Sequence, residues 1–407
     1  MRLRHAFLAL SAKGFGETIL GVRLAHALAA TGDEVAFLAR GAATSVLGAA
    51  GFPVQVLPEH TLPLLRLYLD AFVNEFRPHT LVLADYCTTV FSFEQAGLDL
   101  AELRSFRRPI IAIDTWATHE SGPTIDLFRS SRRVLPDWDR TVDLAVTPVP
   151  IAMPRDGGIY YSALPSAQRV TPKARRHVRR DLGLAEGDRA ILLCTAAWQH
   201  ARFRSRHGNR IARQLPQLLS HYLRRLGPRV HVVHVGPERY AMELDGCYHW
   251  LPPLRPEEFD TLVPSMDAVL TANISATTLT KAIATGIPAV VLVNSFTIAT
   301  IEDLDAKIGG GISAELRAWV SATRPLYPFY LWPLGYFRFL APVLAGNAYC
   351  DALSVVEVLR EEEVHAALTH ALFDASGRAQ TCEAQRRYVA MVEALPSVAE
   401  QIHARVG

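Results

Sequence analysis

The chain has 407 residues, of which half are apolar and one fifth are charged, and its formal net charge is +2. That length predicts two or three domains, each large enough to bury a core. The small net charge and a single local basic run at residues 171–180 argue against a nucleic-acid-binding protein.

The N-terminal segment predicts a buried strand, a glycine-containing loop and a helix. Residues 5–11 read HAFLALS, and the loop that follows contains Gly14 and Gly16. Apolar residues then recur at helical spacing over residues 19–29, and Gly32 ends the helix. Such a loop lets the backbone approach a ligand closely, although many α/β folds share it.

Short apolar strand patterns alternate with amphipathic helical patterns through both halves of the chain. The predicted strands cover residues 7–10, 35–38, 80–84, 110–113, 144–146, 190–194, 230–235, 268–270 and 289–293. This alternation predicts mostly parallel sheets covered by helices on both faces. Residues 148–165 form a Pro/Gly-rich connection, so we expect one domain with its linker at 1–181 and a second domain at 182–407.

Residues 267–293 predict a strand, a turn, a helix and a second strand. The turn contains four amide and hydroxyl side chains suited to capping a helix start, namely those of Asn273, Ser275, Thr277 and Thr278. The free N–H groups of such a helix attract anions. This segment is either a diphosphate site or one more βαβ unit.

The five cysteines are odd in number and show no metal-type pairing. This pattern favours a reduced compartment over a disulfide framework. The N-terminus enters a strand without a leader pattern, so we expect a cytoplasmic protein. Carboxylates and histidines also lack metal-ligand spacing, and we expect no metal.

The glycine loop, residues 32–35 (GDEV) and residues 278–288 together resemble the GT-B glycosyltransferases, particularly the UDP-glycosyltransferases and the N-acetylglucosaminyltransferase of peptidoglycan synthesis. The family motif T-x-x-E-A-x-x-x-G-x-P aligns with Thr278 to Pro288. The resemblance implies two Rossmann-like doubly wound α/β domains facing across a cleft, with the acceptor in the first and the donor in the second. It also implies that the segment around Trp250 packs over the donor base, and that the last helical pattern crosses back to the first domain.

Two positions depart from the family pattern. Lys281 stands where the family has an acidic residue that hydrogen-bonds the donor ribose, and Glu17 stands where many members have a catalytic histidine. Lys281 would meet an extra phosphate or a carboxylate; the alternative is a solvated helix lysine.

Ligands of doubly wound sheets bind beyond the carboxyl ends of the strands. On that basis the candidate catalytic residues are Glu17 as general base, Asp114 and His119, with His200 as a fallback base and Asp85 as an alternative to Asp114. Both aspartates could instead cap helices. The candidate donor-binding residues are Gly14, Gly16, Thr195, Trp198, Gly236, Trp250, Asn273, Ser275, Thr277, Thr278 and Lys281.

Residues 324–347 form an aromatic insertion that four prolines interrupt. The prolines argue against a transmembrane helix. Three interpretations stay open: a lid over an apolar acceptor, an oligomer interface such as that of a homodimer, and a surface that contacts a bilayer peripherally.

The resemblance, together with these residues, implies a metal-independent inverting glycosyltransferase of specialised metabolism. It would transfer a sugar from a nucleotide-activated donor, its cosubstrate, to a small or apolar acceptor, without a resident cofactor. The alternative is a GT-B-shaped protein that does not transfer sugars, and that serves another enzyme as a binding partner or uses another phosphorylated ligand.

Overall fold

The computed structural model describes residues 2–11, 15–121, 124–127, 131–135, 138–166, 170–200, 206–309, 311–333 and 335–406. Its strands are β1 (Arg4–Ala9), β2 (Glu34–Arg40), β3 (Val54–Leu57), β4 (Thr80–Leu83), β5 (Ile110–Ile113), β6 (Thr124–Leu127), β7 (Ser131–Val134), β8 (Leu144–Val149), β9 (Tyr160–Ser162), β10 (Arg189–Cys194), β11 (Val230–Val235), β12 (Tyr248–Leu251), β13 (Ala268–Thr271), β14 (Ala289–Val293) and β15 (Ser354–Glu357).

The helices alternate with these strands through both halves of the chain. They are α1 (Gly16–Ala29), α2 (Thr44–Ala49), α3 (Leu65–Phe76), α4 (Tyr86–Ala96), α5 (Thr118–Ser121), α6 (Trp138–Thr141), α7 (Pro172–Asp181), α8 (Ala197–His200), α9 (Arg206–Arg224), α10 (Pro256–Leu262), α11 (Thr277–Thr285), α12 (Ile301–Ile308), α13 (Ala314–Thr323), α14 (Phe337–Leu344), α15 (Ala348–Asp351), α16 (Glu361–Phe373), α17 (Ala375–Glu393) and α18 (Val398–Val406).

Two parallel sheets organise the molecule. The first has the order β3-β2-β1-β4-β5-β8-β9, and the second has the order β12-β11-β10-β13-β14-β15. In each sheet the order in which successive strands are added reverses at the centre, between β1 and β4 in the first sheet and between β10 and β13 in the second. These are the topological switch points at which doubly wound folds bind ligands. The predicted pair of Rossmann-like α/β domains is confirmed.

The sheets are buried because their central strands are apolar on both faces. All four residues of β5 are fully buried, and so are Phe7, Leu8 and Phe37 in β1 and β2. Helix α1 lies directly on this sheet, since a Cβ atom at Gly21 would stand 3.1 Å from the Cβ atom of Ala84. Gly21 therefore sets how closely the helix approaches the end of β4.

The C-terminal helix α18 packs on the first domain, as the resemblance implied. Val398 and Ile402 are buried in the core cluster that contains Phe7 and Leu24. At the same interface His403 Nε2 lies 2.6 Å from the Asp33 carboxylate. The end of the chain is thus tied to the beginning by both apolar and polar contacts.

The aromatic insertion packs inside the chain. None of the aromatic, leucine or valine side chains described in residues 324–333 and 335–347 is exposed. Tyr336 stacks on Trp116 at the end of β5, with ring centroids 5.8 Å apart, and Asn347 Nδ2 donates to the Ile151 carbonyl at 3.0 Å. Its apolar side chains join the two domains. The structure therefore does not support our interpretations of this stretch as a homodimer interface or a peripheral membrane contact.

Within the described residues, no helix is both long and apolar enough to cross a membrane. The five cysteines are all free thiols.

Candidate functional site

Glu17 lies in the first turn of α1, where the chain leaves the central strand of the first sheet. Ser11 and Thr88 hydrogen-bond its carboxyl group, and the Asp85 carboxylate lies beside it. Burial and this neighbouring charge raise the pKa of Glu17 to about 7. A carboxyl group with that pKa takes up and releases a proton near neutral pH, as a general base must.

Asp85 follows β4 and caps α4. Its Oδ1 atom accepts a hydrogen bond from the Thr88 backbone N–H at 2.6 Å. Burial raises the pKa of Asp85. The residue therefore has two roles, because it fixes the start of α4 and acts electrostatically on Glu17.

Asp114 and His119 form a helix start at the end of β5. Both Asp114 oxygens accept backbone N–H bonds, from Thr118 at 2.8 Å and from His119 at 2.8 Å. The imidazole ring of His119 is exposed and meets the Trp138 ring edge-on, with centroids 5.6 Å apart. Both Asp114 oxygens are thus engaged at the helix start, and the candidate base that lies beside a second carboxylate is Glu17 rather than His119.

The first turn of α11 differs from the capped helix start that the sequence predicted. No side chain caps this helix, whose N-cap residue is Ala276. Asn273 Oδ1 instead accepts hydrogen bonds from the Ser275 N–H at 3.0 Å and from the Ser275 hydroxyl at 2.8 Å. The amide and hydroxyl groups thus hydrogen-bond within the turn before the helix. The backbone N–H groups at the positive end of the helix stay available to bind an anion.

The two domains meet at this turn. A Cβ atom at Gly16 would lie 3.7 Å from Thr277 Cγ2. Gly16 directly precedes Glu17, so the candidate base and the start of α11 are neighbours across the interface. Thr278, one residue further, is buried and hydrogen-bonds the Cys194 thiol, whose pKa burial raises to about 12. Gly14 lies outside the described residues.

Lys281 forms an ion pair with Asp260 of α10. Its ammonium group also lies 5.1 Å from the centroid of the Phe259 ring, and its side chain is only 20% exposed. The interpretation of Lys281 as a solvated helix lysine is therefore wrong. The phosphate or carboxylate of a ligand that we expected to meet Lys281 stays a prediction.

A hydrogen-bonded network lies at the end of β10 and β11. Thr195 Oγ1 contacts His234 Nε2 at 2.7 Å and His200 Nε2 at 2.8 Å, and His234 Nδ1 contacts the Tyr248 hydroxyl at 2.6 Å. Burial lowers the pKa of His234 to about 4, so this imidazole is neutral at physiological pH. His234 and Tyr248 were not among the predicted site residues, although a histidine within the apolar strand VHVVHV was a signal for a buried polar partner.

Gly236 and Trp250 adjoin this network. A Cβ atom at Gly236 would overlap Thr195 Oγ1 and lie 2.9 Å from His234 Nε2, and the Trp250 indole donates to the Gly236 carbonyl at 3.1 Å. The Trp250 side chain is 37% exposed, and Trp198 is half-buried. Four predicted donor-binding residues thus lie on one edge of the second sheet, namely Thr195, Trp198, Gly236 and Trp250. The two tryptophans offer indole rings for a ligand to contact.

Among the described residues, one group of histidine and carboxylate side chains has ligand atoms close enough to share a cation. It consists of His5, Asp33 and His403, whose atoms lie within 4.8 Å of one another. His5 Nε2 and His403 Nε2 both contact Asp33 Oδ2, at 3.0 and 2.6 Å. These contacts lie at the amino end of β1, away from Glu17, and tie α18 to the first domain.

A family model described as a family of unknown function, DUF6365, matches residues 24–406. The chain belongs to the DUF6365 family. No curated protein matches this DUF6365 chain.

The DUF6365 chain is similar to solved structures along its whole length. Anabaena Alr3699/HepE in complex with UDP and glucose has 13% identity and a TM-score of 0.58, with 99% of each chain covered. The spinosyn forosaminyltransferase SpnP has 15% identity and a TM-score of 0.53, with 100% of each chain covered. The spinosyn rhamnosyltransferase SpnG complexed with thymidine diphosphate has 14% identity and a TM-score of 0.52, with 99% of each chain covered. At these identities the likeness shows the fold, and this DUF6365 protein has the predicted GT-B fold.

Proposed function

We propose that this protein is a glycosyltransferase that uses a nucleotide-activated sugar, with Glu17 as its general base and the first turn of α11 as its diphosphate site. The close approach of Gly16 to Thr277 carries the proposal. It places the residue that follows Gly16, whose carboxyl group has a pKa of about 7, near an uncapped helix N-terminus. A sugar-transfer reaction needs a base and an anion site as neighbours.

In the proposed reaction Glu17 takes the proton of the acceptor hydroxyl. The acceptor oxygen forms a bond to the anomeric carbon as the bond from that carbon to the diphosphate oxygen breaks, with inversion. The diphosphate leaves with the bonding electron pair, and the backbone N–H groups of Thr277 and Thr278 stabilise its charge. Neither a metal ion nor a resident cofactor has a step in this scheme.

The donor is proposed to be a nucleotide sugar because HepE is described with UDP and glucose, and SpnG with thymidine diphosphate. Trp250 and Trp198 are the proposed contacts of the donor base. The stacked rings of Trp116 and Tyr336, at the end of β5, support a small or apolar acceptor. The likeness to two spinosyn glycosyltransferases supports a role in specialised metabolism.

The lysine at position 281 favours a second candidate function. A lysine side chain has no acceptor oxygen for the hydroxyl groups of a ribose diol, and this favours a phosphorylated ligand that is not a nucleotide sugar. Such a ligand would still occupy the start of α11.

The two candidates differ in which ligands stabilise the protein. We would measure thermal stability with UDP, dTDP, their sugar derivatives and non-nucleotide phosphate esters, since a ligand of the folded state raises the melting temperature by mass action. Sugar transfer predicts stabilisation by a nucleoside diphosphate and release of that diphosphate from its sugar derivative when an acceptor is present. Stabilisation by phosphate esters alone would reject the nucleotide-sugar donor in favour of the second candidate.

A further inference from the structure

Four arginines line an open cavity of about 510 Å³ far from the carboxyl ends of the strands. Arg104 lies in the short 3₁₀ helix Leu100–Phe106, Arg107 and Arg108 connect that helix to β5, and Arg405 lies in the last turn of α18. Leu144, the first residue of β8, also lines the cavity. The cavity therefore lies at the amino ends of β5 and β8, on the edge of the sheet opposite to Asp85 and Asp114.

The charges around this cavity do not balance. Arg104 donates to Asp143 Oδ1 at 2.6 Å, which pairs the single lining carboxylate with one of the four arginines. Within the part of the chain that the structure describes, Arg107, Arg108 and Arg405 form no ion pair, and all three are exposed. Three positive charges thus face one cavity of a protein whose formal net charge is only +2. An anion between them would relieve their mutual repulsion.

We propose that this pocket binds a small soluble ligand through a phosphate or diphosphate group. Guanidinium groups suit this ligand because each presents paired N–H donors that match two phosphate oxygens. The cavity has the size of ordinary small-molecule sites, which are roughly 300–1,000 Å³. A concave shape favours a soluble phosphate ester over the headgroup of a lipid in a flat bilayer.

Ligand binding at this pocket fixes the C-terminal helix. Arg405 belongs to α18, whereas Arg107 and Arg108 belong to the first domain, so a phosphate held by all three bridges the two segments. The bridge adds to the His403–Asp33 contact on the same helix. The pocket is separate from the proposed diphosphate site at α11, and both sites can be filled at once.

The test uses the full-length protein and pyrophosphate as the probe, titrated by calorimetry at constant ionic strength with chloride as the balancing anion. Hydrogen–deuterium exchange locates the bound probe. We expect saturable binding that protects residues 104–109 and 398–406, and protection that persists when a nucleoside diphosphate occupies the cleft. Equal protection by chloride at the same ionic strength would overturn the proposal.

Substitutions assign the binding to the arginines. In Arg108→Ala and Arg405→Glu we expect the dissociation constant for pyrophosphate to rise about tenfold or more. Arg77→Ala is the control, because Arg77 is an exposed arginine with the same left-handed backbone conformation as Arg107 but does not line the cavity. Unchanged affinity in Arg405→Glu, with circular dichroism confirming its fold, would contradict the proposal.

Vesicles distinguish the two sources of phosphate. Phosphatidylcholine vesicles with and without phosphatidylserine are sedimented with wild type and Arg405→Glu. The soluble-ligand proposal predicts no sedimentation that depends on Arg405. Sedimentation that requires both phosphatidylserine and Arg405, without saturable pyrophosphate binding, would replace the soluble ligand with a lipid headgroup.

Discussion

Glu17, in the first turn of α1, is a half-buried carboxyl group beside the buried carboxyl group of Asp85, at the end of β4. Burial disfavours both charges, and the Asp85 charge further raises the pKa of Glu17. Two such groups titrate as a coupled pair. Their proximity is a structural property with consequences for both stability and catalysis.

Stability should fall with rising pH because of Glu17. Its pKa is about 7 in the folded protein against 4.5 for the free group, so the folded state keeps a proton that the unfolded chain releases between these values. Over this range the free energy of unfolding falls by at most about 1.4 kcal/mol per pH unit. We expect Glu17→Gln to make the pH dependence shallower across this window, as measured by urea unfolding. Glu393→Gln, at an exposed position, is the control and should unfold with the pH dependence of wild type.

The anion site at α11 can be tested by removing one backbone N–H. Thr277 is the first residue of the helix, where proline is tolerated, and Ala276 has φ −62° and ψ 125°, which suits a residue before proline. We expect Thr277→Pro to weaken nucleoside diphosphate binding about tenfold and Thr277→Ala to weaken it less than about threefold. Calorimetric titration measures both. Equal affinities for the two variants would exclude the Thr277 amide as a ligand donor.

The contact between His403 and Asp33 should hold α18 in place. A hydrogen bond to a charged group typically contributes more than a neutral one, so we expect His403→Ala to lose about 1–2 kcal/mol of unfolding free energy. Amide exchange in residues 398–406 should also become faster. Gln401→Ala on the same helix is the control. If both variants unfold alike, the Asp33 contact does not stabilise the helix.

Gly236 should not tolerate a side chain. Its Cβ atom would overlap Thr195 Oγ1, which is held by His234 and His200. We expect Gly236→Ala to destabilise the protein by about 1–3 kcal/mol. Gly48→Ala is a matched control, since nothing lies within 4 Å of a Cβ atom there and the residue is helical. A wild-type melting temperature for Gly236→Ala would show that the network can move aside.

The sequence predicted the interior strands of both sheets and missed the edges. The nine predicted strands correspond to β1, β2, β4, β5, β8, β10, β11, β13 and β14, which have neighbours on both sides. The missed strands β3, β9, β12 and β15 are the edges of these two sheets, and the strands of the two-stranded sheet, β6 and β7, were not predicted either. Residues 248–251 and 354–357 are mostly half-buried, so they lack the continuous apolar run that identifies a fully buried strand.

The sequence predicted where the candidate site lies better than it predicted which residues are in contact there. The carboxyl ends of buried strands locate Glu17, Asp85 and Thr278 from sequence, because parallel strands end at one edge. The Asp260 partner of Lys281 lies on another helix, and the covered aromatic insertion depends on packing between domains. Neither contact has a local sequence signal, since each depends on how distant segments meet.

The pH dependence of nucleoside diphosphate release by wild type and Glu17→Gln tests the central claim most directly. With a sugar nucleotide and an acceptor found by screening, wild-type turnover should rise with pH through about 7 as Glu17 loses its proton. Glu17→Gln should be about 10²–10⁴-fold slower and lack that rise, while Thr277→Ala keeps it. A Glu17→Gln variant that turns over at the wild-type rate with the wild-type pH profile would contradict the assignment of Glu17 as the base.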